Sequence, residues 1–205
     1  MKSRVSSIVF FLLLNFSLVA QQAPPPSSKA ASTAPDPGAI ANGVYRNSSF
    51  GFTYKLPYGW VDRSDDMRQE AAASPKSTVL LGVFEHPPEA TTSKLNSAVV
   101  IAAESASSYP GLKAAAQYFG PLSEVATAKG LKAVNEPYEF PVDARPIVRR
   151  DFAGQVHGLA VQQSTLVLLE KNYLVSFTFI ANDNDEMVEL IENLAFGKVR
   201  NPAGK

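Results

Sequence analysis

Residues 44–60 read VYRNSSFGFTYKLPYGW, and the spacing within that stretch decides the fold. Phe50, Phe52, Tyr54 and Leu56 fall on every second position with Gly51, Thr53 and Lys55 between them, which is the period of a half-buried strand. Pro57 ends the strand because it has no N–H to give a ladder, and it biases Leu56 toward extended geometry. Gly59 can then take the turn that carries Trp60 back over the apolar face, which places Trp60 in the core and leaves an exposed anchor as its alternative. The stretch is a folding signal and holds no reactive group.

Upstream, residues 21–43 (QQAPPPSSKAASTAPDPGAIANG) are rich in proline, alanine and serine. So few large apolar side chains cannot offset the entropy of ordering the chain, and the stretch reads as a disordered linker, locally stiff at Pro24–Pro26. Residues 1–20 place Lys2 and Arg4 before an apolar run from Ile8 to Ala20, the pattern of a secretory signal. That run of about 13 residues falls short of the roughly 20 that cross a bilayer as a helix. Cleavage after Ala20 is the simplest reading, and the size of Leu18 keeps an uncleaved anchor as the alternative.

Downstream, residues 44–198 read as one globular domain followed by a flexible tail, 199–205. Asp62–Ala73 is polar with a weak stripe of Met67 and Ala71, a short helix or a loop. Thr78–Phe84 and Ala98–Ala103 are apolar at nearly every position, as in central strands covered on both faces, with a long loop around Pro87 and Pro88 between them. From Pro110 to Gly130, apolar residues keep helical spacing, and Gly120–Pro121 in the middle predicts a kink or a split. Strands follow at 138–142, 147–152, 159–169 and 173–181, with Pro141 marking an edge and Lys171–Asn172 a hairpin turn. A final helix opens on Asp183 and Glu186 at capping-box spacing and carries Met187, Leu190, Ile191 and Leu194 as its buried stripe. This order predicts an α+β domain, a three-layer αβα sandwich around a mainly antiparallel sheet.

Tyr45, Asn47, Phe50, Gly51 and Phe52, then Leu56, Pro57, Gly59 and Trp60, resemble the N-terminal signature of PsbP-like domains and the related Mog-type Ran-binding proteins. The resemblance runs through the order of elements to Phe196. It implies an exported bacterial relative with the αβα sandwich, of a family whose members act as binding or assembly-support proteins. The matched residues form the fold, so the resemblance transfers no site.

The chain has no cysteine, which removes thiol catalysis, disulfides, thiolate metal sites and a lipoprotein anchor. Its 19 basic and 19 acidic side chains balance, leaving no electrostatic footprint for nucleic acid or anionic lipid. His86, beside Glu85, and His157 lie at loop signals, and a serine or metal site would need them paired with a third group. Asn182–Glu186 (NDNDE) clusters oxygens but lacks the glycine and distant acid of a calcium loop, and helix capping already accounts for Asp183 and Glu186. Arg145, Arg149 and Arg150 form a basic cluster, yet neighbours on a strand face opposite ways, so a solvated edge strand is the simpler reading. No phosphate loop, nucleophile elbow, zincin helix or dinucleotide fingerprint occurs.

The resulting expectation is a periplasmic or extracellular, non-catalytic binding or assembly-support domain with a protein partner in the cell envelope. No catalytic, cofactor or metal residue is assigned, no cofactor or nucleic acid is implied, and the membrane is met only through the signal segment. The alternatives are a periplasmic small-ligand carrier and a hydrolase working through His86 or His157.

Overall fold

The computed structural model describes residues 35–72, 77–87, 90 and 94–197. The signal segment, linker residues 21–34 and the tail lie outside them. Within the linker reading, Ala39–Ala41 is instead a strand, β1, turned by Asn42–Gly43 onto β2 (Val44–Asn47). Both turn residues have positive φ, 51° and 70°, the geometry that an Asn-Gly pair supplies to a two-residue hairpin. The small sheet therefore includes residues ahead of residue 44. It is pinned there by Asn47, whose Nδ2 donates to the Asp36 carbonyl at 3.1 Å, and by the Tyr45 hydroxyl, which donates to the Pro37 carbonyl at 2.6 Å.

The aromatic stretch forms β3 (Phe52–Lys55), and Phe50, Phe52 and Tyr54 are fully buried on one face as the alternation predicts. Then come β4 (Val61–Asp62), α1 (Ser64–Ala71), β5 (Ser77–Phe84) and β6 (Ala98–Ser105). Met67 and Ala71 are the buried stripe of α1, and Met67 lies so close on Gly82 of β5 that any side chain there would strike its sulfur. A 3-10 turn (Ala115–Tyr118) runs directly into α2 (Phe119–Ala128). Pro121 neither kinks nor splits this helix: it is the third residue, in the first turn, where an N–H has no intrahelical partner to lose.

The chain continues as β7 (Leu131–Ala133), β8 (Tyr138–Val142), β9 (Arg145–Val156), β10 (Leu159–Glu170) and β11 (Tyr173–Ala181). Tight turns at His157–Gly158 and Lys171–Asn172, all four at positive φ, join β9 to β10 and β10 to β11. The last elements are α3 (Asn184–Glu192) and β12 (Leu194–Ala195). Asp183 caps α3 by accepting from the Glu186 N–H at 2.9 Å, while the Glu186 carboxylate accepts from the Asn182 N–H at 2.8 Å.

All strand pairs are antiparallel. A large sheet runs β4-β5-β6-β11-β10-β9, with β7 and β8 end to end along the outer edge of β9, and a small sheet runs β1-β2-β3-β12. The large sheet is the middle of three layers. One outer layer is the small sheet together with α3, joined to it by Tyr45, Phe50, Phe52 and Tyr54 packing with Phe177, Phe179, Met187 and Ile191. Phe52 meets Phe177 edge-on at 4.9 Å, and the Tyr54 hydroxyl donates to the Leu190 carbonyl at 3.1 Å. The other layer is α1, the 3-10 turn and α2, which pack through Met67, Tyr118, Phe119 and Ala126. Trp60 is half-buried at the rim of the first interface, which corrects its placement in the core, because the turn at Pro57–Gly59 carries it only to the edge strand β4.

Candidate functional site

The sheet edge formed by β7 and β8 carries a connected network of side chains next to solvent. Asp151 of β9 sits at its centre. Its carboxylate accepts from Ser164 Oγ at 2.7 Å, Arg149 Nε at 2.8 Å and Asn135 Nδ2 at 2.7 Å. Asn135 also accepts from the Asp151 N–H at 3.0 Å, so the link between β7 and β8 is clamped to β9. Burial pushes the Asp151 pKa up, but the bonds from Ser164, Arg149 and Asn135 together outweigh that, and the net displacement is downward.

Around this carboxylate, register brings aromatic and apolar groups onto the same face. Tyr138 is paired across from Arg149 and Phe140 from Ile147, with their rings 6.4 Å apart and edge-on. The Arg149 guanidinium lies over the Phe140 ring at 4.9 Å, while its Nε is held by Asp151. Val134, whose N–H donates to the Asp151 carbonyl, and Tyr138 are 66% and 38% exposed. The result is an aromatic, aliphatic and guanidinium surface in which Arg149 is held between the Phe140 ring and the Asp151 carboxylate before any partner arrives.

The backbone of this edge is blunted. Counting from the two-residue turn at Asp143–Ala144, Val142, Phe140 and Tyr138 bond to β9, so Glu139 and Pro141 turn their backbone outward. Pro141 offers no N–H there, which makes the edge a poor template for an added strand and leaves recognition to side chains.

The residues singled out from sequence are dispersed. His86 follows β5 and His157 turns between β9 and β10, which lie four and three strands away beyond β6 and β11, so the sheet does not pair them. His86 Nε2 is 3.5 Å from Glu85 Oε1, and its backbone is bracketed by the Asn96 side-chain amide. Asn182 Nδ2 donates to Ser97 Oγ and the Leu95 carbonyl, so the NDNDE stretch is occupied in capping α3 and fastening a loop. Among the described residues, no group of three acids or histidines has the arrangement of a metal site.

The arginines correct the reading of a solvated edge. β9 has partners on both sides, and each arginine is engaged: Arg145 with Glu170, Arg149 with Asp151, and Arg150 with the Asn135 carbonyl and Ser123 Oγ. Arg149 and Arg150 do face opposite ways, one toward Phe140 and the other toward Phe152. Sequence reasoning missed Asp151, Val134 and Asn135. The signal that points to them is the two-residue step from Arg149 to Asp151, matched across the ladder by Tyr138 and Phe140.

No protein-family model and no curated protein matches the sequence. Among solved structures, the chain is similar to cyanobacterial PsbP from Synechocystis sp. PCC 6803 at 14% identity and TM-score 0.49, covering 78% of this chain and 96% of that one. It is also similar to PA94, a protein of unknown function from Pseudomonas aeruginosa (14%, TM-score 0.39, 79% and 97% covered). A third is LpqN of Mycobacterium tuberculosis, involved in cell envelope biogenesis (14%, TM-score 0.38, 77% and 80% covered). A PsbP thus stands among its structural likenesses, and a Mog-type protein is not one of these three. The functional reading rests on this chain's own residues. No helix among the described residues is long and apolar enough to cross a membrane.

Proposed function

We propose that this chain is an exported, non-catalytic binding domain that docks a protein of the cell envelope on the face formed by Val134, Tyr138, Phe140, Arg149 and Asp151. The observation that carries the reading is the pre-ordered aromatic and arginine surface at a sheet edge, the composition in which interface energy concentrates. The leader pattern of residues 1–20 and the linker of residues 21–34 support delivery to the envelope on a tether. The separation of His86 from His157 favours binding over hydrolysis.

A photo-crosslinking side chain placed at Val134 in the full-length protein, expressed in its own host, tests the reading. One discrete protein adduct is expected, reduced at least about tenfold by Tyr138→Ala together with Arg149→Ala, and absent when the probe is moved to exposed Val188 on α3. Equal labelling from Val134 and Val188, or an adduct indifferent to the double substitution, overturns it.

A further inference from the structure

Arg149 and Arg150 are neighbours on β9, and their guanidinium groups are engaged to different extents. Arg150 uses all three nitrogens: Nε donates to the Asn135 carbonyl at 2.9 Å, Nη1 donates to Ser123 Oγ at 2.9 Å, and Nη2 lies 3.6 Å from Glu136 Oε2. Arg149 uses one. Its Nε donates to Asp151 Oδ1 at 2.8 Å, and its central carbon stands over the Phe140 ring at 4.9 Å. Among the described residues, neither terminal nitrogen of Arg149 has a protein acceptor and neither is a sealed unpaired atom, so both meet solvent although the side chain is only 14% exposed.

A guanidinium held at Nε and over one ring keeps its remaining edge fixed in direction. The two parallel N–H donors of that edge match the two oxygens of a carboxylate. The freedom that a long arginine gives up on binding has here already been lost to Asp151 and Phe140. The surrounding charges select a single negative charge. Register places Lys132, which is exposed, on the same face opposite Ala153 of β9. The nearby acids belong to the other face, where Glu136 meets Arg150 and Glu139 lies opposite Val148. Lys132 and Arg149 against Asp151 leave one positive charge in excess, which one carboxylate balances. A phosphate, with close to two negative charges, overshoots that balance beside Asp151.

Exposed Val134 and Tyr138 lie on the same face and offer an apolar contact next to the fork. From Arg149, Lys132, Val134 and Tyr138 we infer that the partner is recognised through an acidic side chain flanked by an apolar one, its carboxylate received bidentately by Nη1 and Nη2 of Arg149. The carboxylate comes from a side chain and not from a chain terminus. Terminal carboxylates are captured by backbone N–H groups, and Pro141 withholds one from this edge. This recognition rests on the docking face proposed above and adds what the partner must carry.

The test titrates the full-length protein with 3-phenylpropionate, 3-phenylpropionamide and phenyl phosphate, reading the Arg149 side-chain nitrogens by NMR. Saturable binding of the carboxylate is expected to shift the Arg149 Nη signals, at least about tenfold tighter than the amide for one charge-assisted pair, and tighter than the phosphate. Arg149→Lys keeps the charge and removes the fork, so it should lower the carboxylate affinity about tenfold. No saturable binding, equal affinity for carboxylate and amide, a preference for the phosphate, or wild-type affinity in Arg149→Lys overturns the inference. The comparison of carboxylate with amide needs no variant, so it decides the matter even if Arg149→Lys fails to fold. A discrete adduct from Val134 without a carboxylate preference overturns this inference and leaves the docking face standing. A carboxylate preference without an adduct upholds the fork as a carboxylate receptor and overturns the docking face.

Discussion

The two faces of the large sheet are made by the same strands and do opposite work. On β11, Phe177 and Phe179 point into a dry aromatic interface with the small sheet, while Ser176 and Thr178, one residue away, are buried polar groups on the opposite face, toward the helices. A strand of period two can commit one face to holding the fold and leave the other free for polar groups. The cost of that freedom is borne by the aromatic face, which must be packed well enough to hold the domain without disulfides.

Neighbouring substitutions sharpen the contrast most. Phe177→Ala should cost about 3–5 kcal/mol in urea melts, as for a large buried aromatic. Ser176→Ala, its neighbour on the other face, should stay within about 0.5 kcal/mol. Comparable losses from the two would break the comparison. At the rim of the dry face, Trp60→Ala should cost about 2 kcal/mol, because only part of its surface leaves water; a loss above about 4 kcal/mol would mean the rim is as sealed as the centre.

A dependence on pH is also expected. The folded state holds the Asp151 pKa below its ordinary 3.8. The stabilisation is therefore present above the ordinary carboxylate range and is lost as pH falls through the folded value. Wild-type protein should lose more stability than Asp151→Asn as the pH falls from about 6 to about 3. Parallel urea midpoints for the two would show that the clamp on the link between β7 and β8 contributes nothing.

Much of the dry face was legible because alternation of large side chains leaves a period-two trace. Phe50, Phe52 and Tyr54 and the run Tyr173–Ala181 carry it openly. Asp183 was legible as a cap because capping is a local rule of spacing. The division into two sheets was not, since β12 is two residues long and follows a helix without a pattern of its own. β1 was hidden by composition: the Asn42–Gly43 turn signal sits at the end of a proline- and alanine-rich stretch. The candidate site was least legible, because Val134, Tyr138, Arg149 and Asp151 meet only through register, which nothing short of the pairing specifies.

The small sheet also has a consequence in time. Its β3 pairs with β12, and Tyr54 reaches a carbonyl 136 residues further along the chain. A chain emerging from its N-terminus presents the aromatic face of β3 long before α3 and β12 exist to cover it. Closure over so long a span is slow relative to local hairpins. Until the last element arrives, Phe52 and Tyr54 are exposed on an unfinished sheet, the stage at which an unpaired aromatic face is most open to misassembly.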